Sequence, residues 1–482
     1  MKVKFILPAL VEAAAPGFAA DQRTRRPIKY SLFPPLGLAQ LAAFLSPDDE
    51  AVLVDEHVEP LLLDDCPDLV AIEVYITNAR RTFGIADQYR ARGVFVILGG
   101  LHVTSLPDEA AKHADAIFLG PAEQTFPEFL RDFARGEAKP RYASTAGRTL
   151  GDVPLPRREL IRRELYLVPN SLVVSRGCPH HCTFCYKDAF FEGGRSYYTR
   201  RVDAALAEIE SLPGRHLYFL DDHLLGDARF AKALFSGMRG MNRLFQGAAT
   251  IDSILRGDLI ERAAEAGLRS LFVGFETLGS SALKEARKFQ NLGQDYDRAI
   301  RRLDDLGVLI NGSFVFGLDG DGPDVFDRTL DFAISRGITT ATFHIATPYP
   351  GTALYERLER EGRILHHDYD RYDTRQVVFE PRGMTPAELE AGYHRAYREF
   401  YTLSNIFEAS RAHGSLSRSL KHFAYATGWK RFEAAWDWAI RARAMGRARP
   451  LLETVLATVR PRGAPEALET RKRNLPLLAQ SD

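Results

Sequence analysis

Val173–Asp188 reads VVSRGCPHHCTFCYKD, and three of the chain's four cysteines fall inside it, at Cys178, Cys182 and Cys185. The loop follows SLVVS (171–175), a short apolar run with strand character. Thiolates so closely spaced converge on one iron–sulfur cluster, and with three cysteines a [4Fe–4S] cluster keeps one iron free of protein and open to a small molecule. A tetrahedral zinc site is the alternative. It needs a fourth ligand, for which His180 or His181 stands near, but the spacing differs from the usual zinc pairs. A disulfide framework would spread an even number of cysteines over distant loops. Three clustered thiols and a distant Cys66 point instead to a reducing compartment and a metal.

Downstream, apolar runs alternate with helical patterns. The expected strands are SLVVS (171–175), HLYFL (216–220), GAATID (247–252), SLFVGFE (270–276), INGSFVFG (310–317) and TATFHIA (340–346). Stretches of helical periodicity lie between them, such as RVDAALAEIESL (201–212) and DYDRAIRRLDDLG (295–307). Six such βα units predict a partial (β/α)6 barrel of the TIM type over 166–380, with its chemistry at the strands' C-terminal ends.

Upstream, residues 1–140 show the same alternation: VKFILPAL (3–10), AVLVDE (51–56), DLVAIEVY (68–75), VFVILGG (94–100) and DAIFLG (115–120) are separated by helix-like segments. Apolar runs without polar alternation are strands covered on both faces, which predicts a doubly wound, Rossmann-like parallel sheet. The chain's start, MKVKFILPALVEAAA, has the basic front and apolar run of a signal peptide. Glu12 interrupts that run, and a buried first strand is the expectation. Residues 141–165, with GDVPLPRREL (151–160), read as a linker; 381–462 read as helical, aromatic and Arg-rich, and 463–482 as a disordered tail. The fold class is α/β with a C-terminal helical region.

The bulk numbers set the bounds. A length of 482 residues, 45% hydrophobic and 26% charged, suits about two to four globular domains. Lys+Arg and Asp+Glu both total 63, so no overall basic surface offers itself to nucleic acid. No run approaches the ~20 apolar residues of a membrane span.

The cysteine loop, with the aromatic Phe184 just before its last cysteine, resembles the hallmark of the radical S-adenosylmethionine (radical SAM) superfamily. The resemblance implies that SAM chelates the open iron, and that one electron from the cluster cleaves it to methionine and a 5'-deoxyadenosyl radical that abstracts a substrate hydrogen. It also implies an electron donor such as flavodoxin or ferredoxin. By the same match Phe184 lies at the SAM region. In YFLDDHLLGD (218–227), Asp221 and Asp222 either face SAM or cap the following helix. Glu276 ends FVGFET (272–277), and Ser313 lies in NGSFVFGLDGD (311–321); both are candidate SAM contacts. TPYPGTALYERL (347–358) also recurs in the superfamily, and its Tyr349 faces substrate or packs.

A doubly wound domain ahead of such a barrel resembles the cobalamin-binding branch. The resemblance rests on PPLGLAQLAAFL (34–45), VDEHVEP (54–60), VILGGLHVTSLPDEA (96–110) and ADAIFLGPAEQTFPEFL (114–130). It implies cobalamin contacts at Gly99, Gly100, Thr104, Ser105, Gly120 and Glu123; the alternative for the glycines is that they only build tight turns. Two departures stand out. The family's Asp-x-His-x-x-Gly loop follows the first strand, whereas Asp55-Glu-His57-Val-Glu-Pro60 follows the second and ends in proline. The usual Gly-Glu-x-Glu is reduced to GPAE, keeping Glu123. His57 is therefore expected to be structural, with no histidine from this loop on cobalt.

Cys66 is expected to be inert, His180 and His181 to flank the cluster loop, and Trp429, Trp436 and Trp438 to be helical core rather than a nucleic-acid patch. These residues imply a cytoplasmic, cobalamin-dependent radical SAM enzyme that methylates or rearranges an unactivated carbon of a small or lipid-like molecule. The alternatives are a radical SAM enzyme without cobalamin, such as a methylthiotransferase, and a non-catalytic corrinoid-binding protein.

Overall fold

Strands β1 (Lys2–Leu7), β2 (Glu50–Asp55), β3 (Leu69–Glu73), β4 (Phe95–Gly99), β5 (Ala116–Leu119) and β6 (Arg141–Ala143) form one parallel sheet in the order β2-β1-β3-β4-β5-β6. The computed structural model describes residues 1–10, 33–144 and 147–428. The readings for Glu12, Trp429, Trp436, Trp438 and everything from 429 to 482 lie outside the described residues.

Side chains alternate between two buried layers, so both faces of the sheet are covered. Phe5, Ala71, Ile97 and Phe118 meet Leu36, Leu38, Phe126 and Phe129 from helices Leu36–Ala42 and Thr125–Ala134. Ile6, Val70, Ile72, Val96 and Leu98 meet Ile85 and Tyr89 of helix Ala79–Arg90. This double burial is why the strands carry unbroken apolar runs. Strand order reverses at β1/β3, and the crevice beyond the C-terminal ends there is the usual ligand site of such sheets. Arg141–Ala143 lies in the stretch read as linker but is the sheet's sixth strand.

The second sheet is also parallel: β7 (Ser171–Leu172), β10 (His216–Phe219), β11 (Leu244–Ala249), β12 (Leu268–Glu276), β13 (Leu309–Phe316) and β14 (Thr340–Ile345). Each pairs with the next, leaving β7 and β14 as edges. This is the partial barrel. Phe275, Phe314 and Phe343 stack across successive strands, with centroids 5.4 Å and 5.8 Å apart. Residues 250–252, read as the end of a strand, instead open helix Ile251–Leu255.

Helix Pro386–Phe400 starts in a Thr385/Glu388 capping box and lies along the exposed edge of β14. Tyr397 Oη accepts from Phe343 N–H (3.1 Å) and donates to its carbonyl (3.2 Å). Tyr401 does the same for Ala341, at 2.9 and 2.7 Å. Two tyrosines one helical turn apart thus occupy the polar groups a seventh strand would pair with. Between β7 and β10, β8 (Ser175–Gly177) and β9 (Tyr197–Thr199) form an antiparallel ribbon that brackets the cysteine loop. Among the described residues no helix is long and apolar enough to cross a membrane.

Candidate active site

The cysteine loop leaves β8 at Gly177, whose φ is +73°, and a Cβ there would strike the Ser196 carbonyl. Only glycine makes that turn without strain. Cys178 N–H then donates to Ser196 O (3.1 Å), and Cys185 N–H to Cys182 O (3.1 Å). Thr183 ties the loop to two neighbours: its N–H reaches Ala286 O, and its carbonyl accepts from Leu354 N.

The two aspartates after β10 hold the loop's base. Asp221, buried, accepts from Val174 N (3.1 Å), Ser175 N and Ser175 Oγ (2.5 Å). Burial raises its carboxyl to about 7, and these hydrogen bonds oppose the rise. Asp222 accepts from Gly177 N (3.0 Å) and Tyr186 Oη (2.6 Å), so it grips the loop on either side of the three cysteines. Neither caps the next helix. That cap is Asp227, which accepts from Arg229 N and Phe230 N.

Burial pushes the thiols up, Cys178 to about 11 and Cys185 to about 12, and Cys182 in the same direction. Thiols in such surroundings ionise when a metal takes the charge. Cys182 Sγ also receives an N–H from Gln290 at 3.4 Å. Beside it Lys288 and Glu276 form a buried ion pair at 2.7 Å. Glu276 ends β12 at a register slip with φ +63°, a costly conformation for a side-chain-bearing residue and a mark of functional sites. Ser313 is buried on β13, in register with Gly274 and Thr342, and Phe184 packs against the barrel core. Among the described residues one trio of His, Cys, Asp or Glu brings its donor atoms within 4.8 Å of one another: His180, His223 and Asp252, not the cysteines.

Across from this loop lie two adjoining cavities, of about 160 and 520 Å³, that share Gly37, Gln40, Glu73 and Arg176. The smaller is lined by Gly99, Gly100, Gly120 and Glu123 from the first sheet's C-terminal end and by Tyr186 and Asp222 from the cysteine loop's side. Gly100 (φ +119°) would drive a Cβ to 2.7 Å from Val74 O, so its turn also needs glycine. Glu123 pairs with Arg176 at 2.8 Å, joining the first domain to the strand that precedes Cys178, and its other oxygen is buried without a partner.

Two sequence candidates sit elsewhere. Thr104 Oγ donates to Gly100 O and accepts from Gly120 N, both at 2.9 Å, so it ties two strand ends together. The Ser105 side chain lies against Gly351 of the barrel, outside the cavity lining. His57 is held at both nitrogens, Nδ1 by Asp55 (2.8 Å) and Nε2 by the N–H of Leu10 (3.2 Å). Tyr349 lines the larger cavity and packs beside Ile76, Tyr372 and Val378. The sequence reading missed Arg176, Tyr186, Lys288 and Gln290. The first two stand inside the quoted motif; nothing local marks the others.

Residues 172–333 match the radical SAM superfamily, 30–130 the B12 binding domain, and 352–459 a domain of unknown function, DUF4070. The chain thus carries both a radical SAM domain and a B12-binding domain. It is an enzyme similar to the methyltransferases of the cobalamin-binding branch, and its two domains imply a [4Fe–4S] cluster, SAM and cobalamin. It is 28% identical to the bacteriochlorophyllide d C-12(1)-methyltransferase of Chlorobaculum tepidum, over 78% of this chain and 84% of that one. It is 26% identical to the hopanoid C-2 methylase of Rhodopseudomonas palustris, over 70% of this chain and 66% of the relative. Its fold is similar to that of the cobalamin-dependent S-adenosylmethionine radical enzyme OxsB, solved with aqua-cobalamin and S-adenosylmethionine. The TM-score is 0.65 at 16% identity, covering 89% and 71% of the two chains.

Proposed function

We propose that this enzyme methylates an unactivated carbon of a small, largely apolar molecule of tetrapyrrole or triterpenoid kind, with Cys178, Cys182 and Cys185 as the ligands of its cluster. The observation that carries the reading is one cleft shared by two machines: Asp222 and Tyr186, which grip the cysteine loop, also line the glycine-walled cavity at the end of the first sheet. When bound, the cluster supplies the electron that cleaves SAM, and cobalamin relays a methyl group.

Everything else falls to the chain. The three sulfurs are not gathered within 4.8 Å as donors to one zinc ion would be, which favours a cubane whose irons each take one thiolate. Asp221 and Asp222 act as positioning residues for that loop rather than as SAM contacts. Phe184, Glu276 and Ser313 face SAM in this reading, the Lys288 ammonium fixing the Glu276 carboxylate. Gly99, Gly100, Gly120 and Glu123 contact cobalamin, whose corrin needs a surface cleared of side chains.

The substrate class comes from the two relatives, whose names state methylation of a bacteriochlorophyllide and of a hopanoid. The reading places the enzyme in the cytoplasm, with flavodoxin or ferredoxin as electron donor and no nucleic-acid partner. Anaerobic reconstitution with SAM, cobalamin, a reductant and candidate tetrapyrroles or hopanoids tests it. Both 5'-deoxyadenosine and S-adenosylhomocysteine are expected; deoxyadenosine without S-adenosylhomocysteine would show a radical reaction that transfers no methyl group and would refute methylation.

A further inference from the structure

His180 stands within the cysteine loop, His223 follows the aspartate pair after β10, and Asp252 lies in the helix that opens after β11. The latter two thus sit past the C-terminal ends of adjacent barrel strands, at the mouth from which the cysteine loop emerges. Donor atoms of the three come within 4.8 Å of one another. The two imidazoles stack with centroids 5.6 Å apart.

Hydrogen bonding leaves the two imidazoles of this trio unsatisfied in a specific way. Thr250 Oγ donates its one hydrogen to the Asp252 carboxylate, which can only accept. The 3.0 Å contact between Thr250 Oγ and His223 Nε2 must then run the other way, with Nε2–H as donor. That fixes the tautomer of His223 and leaves its Nδ1 a bare lone pair. The side chain is 1% exposed, and Nδ1 has no partner. His180 Nε2 is likewise buried and unpartnered. Arg256 holds the other Asp252 oxygen at 2.7 Å. An imidazole with one N–H fixed by a neighbour and its other nitrogen buried and unpartnered, close to a second imidazole and a carboxylate, resembles the way proteins present metal ligands.

We propose that His180, His223 and Asp252 bind a divalent first-row transition ion, zinc or iron(II), as a second metal site beside the cysteine loop. Two nitrogens and one carboxylate suit these ions, and bonds of about 2.1 Å, which set ligand atoms about 3.4 Å apart, would draw the trio in from its spacing of up to 4.8 Å. Three protein ligands leave positions open for an oxygen or nitrogen of the substrate, so the ion anchors a polar end of an otherwise apolar molecule. The inference goes beyond the methylation reading and revises that of His180 as a mere flank of the loop.

The test uses full-length protein, reconstituted anaerobically and compared only between samples that hold about four irons, so that empty cysteines do not bind the probe. Each is titrated with Zn2+, freed of excess by gel filtration and assayed by mass spectrometry. The parent should retain about one zinc per chain beyond its irons. His223→Gln and Asp252→Asn should each weaken zinc binding about 10- to 100-fold, with the cluster's visible absorbance unchanged. Thr250→Val removes no ligand but frees the tautomer, and should weaken it about tenfold; it carries the test if the other two fail to hold a cluster. Absence of zinc in the parent at tens of micromolar, or retention undiminished in the variants, overturns the proposal. Neither result depends on methyl transfer.

Discussion

The two sheets present their C-terminal ends to one another, yet they furnish those ends in opposite ways. The first ends in absences of side chains: Gly99, Gly100 and Gly120, with Thr104 bridging two of the strands from behind. The barrel ends in paired charges and clamps: Asp221 and Asp222 on the loop, Lys288 on Glu276, Gln290 on Cys182. A broad, neutral-faced corrin asks the protein mainly for cleared surface. A charged cluster asks for fixed dipoles and counter-charges, because those interactions are strong where water is excluded. Damage should therefore differ in kind: steric and cofactor-specific on the first sheet, electrostatic on the barrel.

The largest effect tests the barrel side. Changing Cys178, Cys182 or Cys185 singly to Ala should take iron from about four per chain to near zero and deoxyadenosine below detection, since a cubane held by two protein thiolates is not retained. Cobalamin binding, measured by absorbance after gel filtration, should survive. If any one variant kept a full cluster and its activity, the ligand set would be wrong.

The next tests the first sheet. Gly100→Ala forces a side chain into φ +119° against the Val74 carbonyl, at a cost of about 1–3 kcal/mol. The expected result is a lowered melting temperature and poor cobalamin retention with four irons intact. Equal loss of cluster and cobalamin would mean that the two ends are not separable.

This contrast also explains what the sequence could reveal. The cysteine loop stood out in the sequence because it is contiguous: three thiols and their spacing lie within eight residues. Both sheets were legible from apolar runs separated by helical periods. Arg141–Ala143 was not, since three residues hold no period and the strand exists only through its pairing with β5. Two contacts were illegible because their partners are remote in the chain: Arg176 reaches back 53 residues to Glu123, and Gln290 reaches back 108 to Cys182. Thr104 and Ser105 show the converse. A hydroxyl beside a glycine turn reads as a ligand contact, but only the fold shows that Thr104 is engaged by Gly100 and Gly120.

A smaller, graded effect should come from Asp221. Burial raises its carboxyl to about 7 against an ordinary value near 4, so between those limits the folded protein holds a proton that the unfolded chain has released. Stability is therefore fully present at low pH and declines as pH rises from about 4 to 7, with a slope approaching 1.4 kcal/mol per unit, about one proton's worth. Asp221→Asn, which cannot ionise, should flatten that part of the profile in denaturant titrations at pH 5, 6 and 7. An unchanged slope would place the proton elsewhere.

The smallest expected effect is none at all, and it tests the first sheet's economy of side chains most directly. His57 has both nitrogens engaged, by Asp55 and by the N–H of Leu10, although it lines the larger cavity. To ligate cobalt through Nε2 it would have to give up the backbone N–H of Leu10, at roughly 1–2 kcal/mol. The cobalt(II) EPR spectrum of bound cobalamin should thus be the same in the parent and in His57→Ala, with any nitrogen superhyperfine splitting retained. The variant should lose only the stability those two hydrogen bonds confer. Splitting present in the parent and gone in the variant would make His57 an axial ligand. The first sheet would then hold its cofactor as the barrel holds its cluster, through a donated side chain, and the contrast between the two ends would fail.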